Sequence, residues 1–263
     1  MLSVVVITKN EQGNIKRCLE SVRWVDDIIV VDAFSTDDTV QIARQYTNKV
    51  WTKEWVNYTQ QKNYAISLAK NDWILNIDAD EVVSEELAEE IKIILRKPEY
   101  NGYLMPMQTY YFGRFLKYGG FCPDYHLRLF NKNYGKFESK FTNVHEGIFL
   151  NGKSGILKEP IIHYAYSNIT QYFGKFNNYT TKEANGLFER NIYPTGYKVF
   201  IKPIHRFLKS YFFKFGFLDG IQGLLACAFA SFYIFITQIK LIELYKDKYN
   251  RRLLWLTLFQ RKS

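Results

Sequence analysis

The sequence predicts an α/β fold: a Rossmann-like mixed sheet, mostly parallel, over residues 1–197, followed by a C-terminal helical extension over residues 198–263. Three observations predict it. In the first hundred residues, short β-branched apolar runs alternate with amphipathic stretches, the pattern made when helices cross over between parallel strands. From Lys198 on, the composition turns basic and aromatic. A chain of 263 residues, 47% hydrophobic and 17% aromatic, has material for one domain and an appendage.

Leu2–Ile7, Asp27–Val31, Val50–Trp51 and Trp73–Ile77 read as the parallel strands. Between them, Gly13–Val22, Asp37–Tyr46 and Tyr58–Ala69 carry apolar residues three and four apart and read as helices. Ser35 and Thr36 ahead of Asp37 and Asp38 provide hydroxyls and negative charge for a helix start, and Ser84 with Glu85 and Glu86 repeats that logic for a helix ending near Arg96. Beyond Pro98, the aromatic-rich, turn-broken segments Tyr103–Phe112, Leu127–Phe130 and Gly155–Tyr164 read as antiparallel strands and loops completing the same sheet. Helix resumes at about Ile169.

Three cysteines, far apart and without a CxxC pair, exclude a disulfide framework and a cysteine zinc site, and fit a reducing compartment. Met1–Ile7 is too short and has no basic leader for a signal peptide, so a cytoplasmic location is expected. The net charge of +9 is entirely C-terminal: residues 198–263 hold 12 Lys or Arg against 3 Asp or Glu.

Ligands of an open parallel sheet sit beyond the carboxyl ends of its strands. Three polar clusters fall there: Thr8-Lys9-Asn10-Glu11, Asp32 with Ser35-Thr36-Asp37, and Asp78-Ala79-Asp80-Glu81. If the fourth strand continues to Asp80, the carboxylates of Asp78 and Asp80 share a face about 7 Å apart. They would suit Mg²⁺ or Mn²⁺, which is commonly held by one or two carboxylates and substrate phosphates. Two other classes are disfavoured. Thr8–Asn14 contains only Gly13, so neither the Gly-rich loop of a nucleotidylyltransferase nor the G-x-G-x-x-G of a dinucleotide site follows the first strand.

On these three motifs the chain resembles the family 2 glycosyltransferases of GT-A fold. With Gln61-Lys62-Asn63-Tyr64-Ala65, Arg128-Leu129-Phe130, Val144-His145-Glu146, His163-Tyr164 and Gly216-Phe217-Leu218-Asp219-Gly220, it resembles more narrowly the lipopolysaccharide core glucosyltransferases. The resemblance implies inverting transfer of a hexose such as glucose from a UDP-sugar to a lipid-linked saccharide, with a divalent metal. It implies that Thr8, Glu11 and Asp32 line the pocket for base and ribose, with Lys62 near the base or phosphates and Asp78 beside the donor. Asp78 and Asp80, joined by the late histidine His163, would hold the metal. Inversion needs a base for the acceptor hydroxyl. Glu146 occupies the region where the family places it, and Asp124 is the alternative. Arg128 would meet phosphate or acceptor, or pair with a structural acid. Ala33-Phe34 departs from the usual small residues after Asp32. A catalytically inactive scaffold of the same fold is the competing reading.

The basic aromatic extension has a membrane-surface composition and predicts peripheral binding to the inner face of the cytoplasmic membrane. Ile221–Ile239, 19 residues without a charge, is borderline for a span because of Gln222, Gly223 and Gln238. The lysines of the extension alternate with large apolar residues and no nucleic-acid module is present, so nucleic acid is not an expected partner.

Overall fold

The computed structural model describes residues 1–139, 146–166 and 169–249. Strand β1 (Leu2–Thr8) leads into α1 (Ile15–Glu20), β2 (Asp27–Asp32), α2 (Thr39–Ala43), β3 (Val50–Thr52), α3 (Tyr58–Ser67) and β4 (Trp73–Asp78). A tight turn then gives β5 (Glu81–Val83) and α4 (Glu85–Arg96). The strands β6 (Gly102–Tyr111), β7 (Arg114–Phe115), β8 (Asp124–Asn131), β9 (Gly135–Ser139), β10 (Glu146–Leu150), β11 (Ser154–Ile156) and β12 (Ile161–Tyr166) follow. The chain continues as α5 (Ile169–Glu189), α6 (Lys202–Leu208) and α7 (Gly220–Tyr249).

The main sheet runs β3-β2-β1-β4-β8-β6-β12-β5, its first four strands parallel. The antiparallel β8 then sits on β4, with β6 beyond it. Fully buried Val4 and Val6 face one side, packing with Ile15, Leu19, Leu87 and Ile91, while Val5 and Ile7 face the other with Ala65 and Ile66. A central strand covered on both faces has to be almost continuously apolar, as Val4–Ile7 is, and the buried Ser3 before it is bonded to Asp27. Gly155–Tyr164, expected among antiparallel strands and loops, holds two strands, and the first is not antiparallel: β11 pairs parallel with β6, and Pro160, which has no N–H for a ladder, lies in the break before β12.

Helix starts divide into one confirmed and one corrected. Ser84 Oγ accepts the Leu87 N–H at 3.1 Å and caps α4. Ser35 and Thr36 do not cap α2, which begins at Thr39. The Ser35 hydroxyl bonds Asp32 and accepts the Asn10 N–H (2.8 Å), and the Thr36 N–H goes to Asn10 Oδ1 (2.9 Å). Those hydroxyls lace two loops together instead of starting a helix.

The chain forms two compact units. The first comprises Met1–Tyr110 and the described residues from Pro123 to Ala165; the second comprises Tyr111–Cys122 and the described residues from Tyr166 on. The expected boundary at 197/198 follows the step in charge, whereas compactness follows aromatic packing. On α5, Tyr172 stacks on Phe229 of α7 at 4.6 Å and Phe176 on Phe232 at 5.7 Å, so the second unit starts before α5.

Candidate active site

The carboxyl ends of β1, β2 and β4 are adjacent in register: Thr8 pairs with Asp32, and Ile7 with Asp78. The sheet thus brings together residues far apart in sequence. Thr8 is buried, and its Oγ1 has no hydrogen-bond partner among the described residues. Asp32 is buried and accepts the Ser35 N–H at 2.8 Å. This turn holds Phe34 in the left-handed region (φ 57°) with its ring exposed, so Ala33-Phe34 keeps the loop's shape at the cost of an unusual backbone for an aromatic residue. On the β1–α1 loop, the Glu11 N–H donates to Thr39 Oγ1 (2.8 Å) and the Glu11 carboxylate accepts from Asn14 Nδ2 (2.7 Å). A lattice of such bonds fixes the two loops that frame Thr8, Glu11 and Asp32.

Asp78 ends β4 between two cations. Lys62 Nζ lies 3.0 Å from its Oδ1 and Arg128 Nη2 lies 2.9 Å from its Oδ2. Arg128 also bonds Glu81, whose other oxygen accepts the Asp78 N–H at 2.9 Å. Burial opposes ionisation of Asp78, but Lys62 and Arg128 prevail and hold its carboxyl well below the usual carboxylate range. Burial pushes Glu81 up to about 7, with the Arg128 guanidinium pulling the other way. Two cations and two acids therefore form one cluster under the strand end, buried except for the partly exposed Asp78. The Arg128 Nε is buried without a partner among the described residues.

The Glu81 bond to the Asp78 amide closes the turn after β4, so Asp80 is not on the strand. The same-face geometry expected for Asp78 and Asp80 does not form. Instead the Asp80 carbonyl accepts the Tyr164 N–H (2.9 Å), and its carboxylate Oδ2 lies 3.4 Å from His163 Nε2 on β12. Burial disfavours a charged His163, yet the Asp80 carboxylate outweighs it and raises the imidazole. Among the described residues no three His, Cys, Asp or Glu side chains converge on one point. A carboxylate oxygen and an imidazole nitrogen at this separation would suit two protein ligands of a divalent ion, Mn²⁺ better than the oxygen-preferring Mg²⁺, in a donor set that substrate phosphates would complete.

Asp124 begins β8, which is antiparallel to β4 and so starts at the same end of the sheet. It is exposed and 3.0 Å from His126 Nε2, a partner that sequence reasoning left without a role. Glu146 begins β10, opposite Ser139 of β9; its side chain, like His145, lies outside the described residues. The structure adds a reason for Asn63. Its amide donates to the Phe137 carbonyl (2.9 Å) and accepts the Phe137 N–H (3.0 Å), which fixes β9 and hence the register of the strand that Glu146 opens. Glu81 was missed as the second acid on Arg128. Its signal was the alternative reading of Arg128 as the partner of a structural acid.

The model of Glycosyl transferase family 2 matches residues 3–165, which contain every one of these residues. An uncharacterized glycosyltransferase of Rickettsia typhi is 34% identical over 258 residues, covering 92% of this chain and 87% of its own. The lipopolysaccharide core biosynthesis glycosyltransferase LpsC of Rhizobium meliloti is 27% identical over 254 residues, 92% of each chain. A solved structure of S. aureus TarS with UDP-GlcNAc aligns over 95% of this chain and 93% of that one, at 16% identity and a TM-score of 0.49. With its strand-end acids and its two-cation clasp on Asp78 lying inside the matched region, the chain belongs to glycosyl transferase family 2 and is a glycosyltransferase.

Proposed function

We propose that the protein transfers a hexose, with inversion, from a UDP-sugar to a lipid-linked saccharide of the lipopolysaccharide-core type, at the inner face of the cytoplasmic membrane. The observation that carries the donor reading is the cluster at the end of β4. Lys62 and Arg128 present buried positive charge beside Asp78, next to the buried hydroxyl of Thr8, which no described residue bonds, and the fixed carboxylate of Asp32. Ammonium and guanidinium groups suit a diphosphate, and carboxylates accept from ribose hydroxyls or a base N–H. Asp80 and His163 would hold Mg²⁺ or Mn²⁺, with Asp78 clamped beside them. When bound, the metal offsets charge on the departing diphosphate. Glu146 or Asp124 takes the acceptor's proton; Asp124 begins β8 at the carboxyl end of β4. The acceptor class is supported by the similarity to LpsC, whose name assigns it to lipopolysaccharide core biosynthesis.

The test is turnover of UDP-glucose with Mn²⁺ by Asp80→Ala, Glu146→Gln and Asp124→Asn. Asp80→Ala is expected to lose at least about 100-fold in kcat/KM, close to 3 kcal/mol of transition-state stabilisation. Only the true base variant should lose kcat while still binding UDP. Wild-type turnover by Asp80→Ala overturns the reading.

A further inference from the structure

The exposed apolar surface of the second unit is concentrated between Tyr197 and Ile221. Here α6 is flanked by wide π-helical turns at Tyr197–Ile201 and Lys209–Phe213, and a 3₁₀ turn, Gly216–Asp219, leads into α7. Val199, Pro203 and Ser210 face inward. Facing outward, Tyr197, Ile201, Ile204, Leu208 and Phe212 recur four, three, four and four residues apart, each 42% to 60% exposed. At the tip, Phe213 is 79% exposed, with Phe215, Phe217 and Leu218 beside it, all at least 44% exposed. Phe215 adopts a left-handed backbone (φ 57°) that is costly for a bulky side chain. The Lys214 N–H to the Lys209 carbonyl and the Leu218 N–H to the Phe215 carbonyl, both 2.9 Å, hold that turn. Water alone gives no reason to hold four large apolar side chains at one turn.

The charge around this patch has one sign. No Asp or Glu occurs from Arg190 to Leu218, while Lys202, Lys209 and Lys214 are exposed among the apolar residues. A second copy of this surface would repel it. A leaflet containing anionic lipid offers hydrocarbon to the phenylalanines and phosphate to the lysines. By contrast, α7, the one described helix long and apolar enough to cross a membrane, is tied into its unit. Its Lys240 Nζ donates to the Asn177 carbonyl (2.9 Å) and to Thr180 Oγ1 (2.9 Å) on α5, Ser231 Oγ donates to the Pro203 carbonyl (2.7 Å), and Thr237 and Gln238 are buried.

We propose that the helix and turn from Tyr197 to Ile221 form a membrane-docking element. Phe213, Phe215, Phe217 and Leu218 enter the outer acyl region of an anionic leaflet, Lys202, Lys209 and Lys214 lie at its phosphates, and α7 stays within the protein as the strut behind them. This rests on the reading of a membrane-borne acceptor and names the surface that meets the membrane.

The test is co-sedimentation of the full chain with vesicles of phosphatidylcholine, alone or with about one-third phosphatidylglycerol. Wild type is expected on the anionic vesicles. Phe213→Ser/Phe217→Ser, with an unchanged melting temperature and unchanged UDP binding, is expected to lose at least tenfold in apparent affinity. An environment-sensitive dye on Phe213→Cys, in a Cys122→Ser background, should shift to the blue on the same vesicles. If wild type binds and the double variant binds equally, the surface is elsewhere and this inference falls while the membrane reading stands. If wild type binds no vesicle, both fall. If the double substitution instead turns a dimer into a monomer without affecting vesicle binding, the face joins two copies and the inference is overturned.

Discussion

Arg128 is the residue on which the β4 cluster depends. It sits on β8, almost without solvent contact, and bonds both Asp78 and Glu81. Removing one partner of a buried ionic group leaves the others uncompensated, which typically costs about 3–5 kcal/mol, whereas removing the whole group together costs far less. Arg128→Met should therefore destabilise the protein by about that much in urea unfolding. Arg128→Met/Glu81→Met should recover a large part of it, since residues in one network are not additive. Equal stability of Arg128→Met and wild type would show that the cluster is solvated. Only part of this site is legible in the sequence. Thr8, Asp32 and Asp78 are found because each directly follows an apolar run, and topology then places strand ends together. Arg128 and Glu81 meet through β8, β5 and a turn, across 47 residues, and no periodicity records such an encounter.

At the scale of elements, the opposite end of the sheet is tied by Asp27, the first residue of β2. Its carboxylate bonds Ser3 of β1 and Lys49 ahead of β3, and accepts the Lys70 N–H (2.8 Å) in the loop before β4. One buried acid thus joins the starts of all four parallel strands. Burial alone would raise its pKa, but the bonds from Lys49, Ser3 and Lys70 more than offset this and lower it. For a carboxyl depressed on folding, the added stability is fully present above the ordinary aspartate value of about 3.9 and is lost as pH falls through the lower folded value. The stability gap between wild type and Asp27→Asn should be flat above about pH 5 and shrink below about pH 4. A gap independent of pH down to acid unfolding would contradict it. The parallel strands themselves were legible, since β-branched runs have one plausible use in an alternating chain. The parallel pairing of β11 was not. Short strands in aromatic, turn-rich sequence carry no period that distinguishes their partners.

At the scale of the whole molecule, charge is divided along the chain. Residues 1–197 balance 23 basic against 23 acidic side chains, and the +9 excess lies beyond. The composition made this legible, whereas compact packing leaves no mark in charge, because charge is a surface property and α5 joins α7 through aromatic packing. The division implies two electrostatic attachments that respond differently to salt. The exposed lysines of the docking element act across solvent, where the screening length falls from about 30 Å at 0.01 M to about 8 Å at 0.15 M ionic strength. Lys62 and Arg128 are buried, and buried charges are screened far less. Raising salt over that range should weaken binding to anionic vesicles by at least about tenfold, roughly 1.4 kcal/mol, while UDP affinity measured calorimetrically with Mn²⁺ moves by less than about threefold. Apolar insertion gains nothing from low salt, so residual vesicle binding at high salt should be the portion that Phe213→Ser/Phe217→Ser removes. If vesicle binding and UDP binding lost affinity in parallel, the donor cations would be as exposed as the lysines of the turn, and the division of labour between a buried donor site and a surface anchor would be wrong.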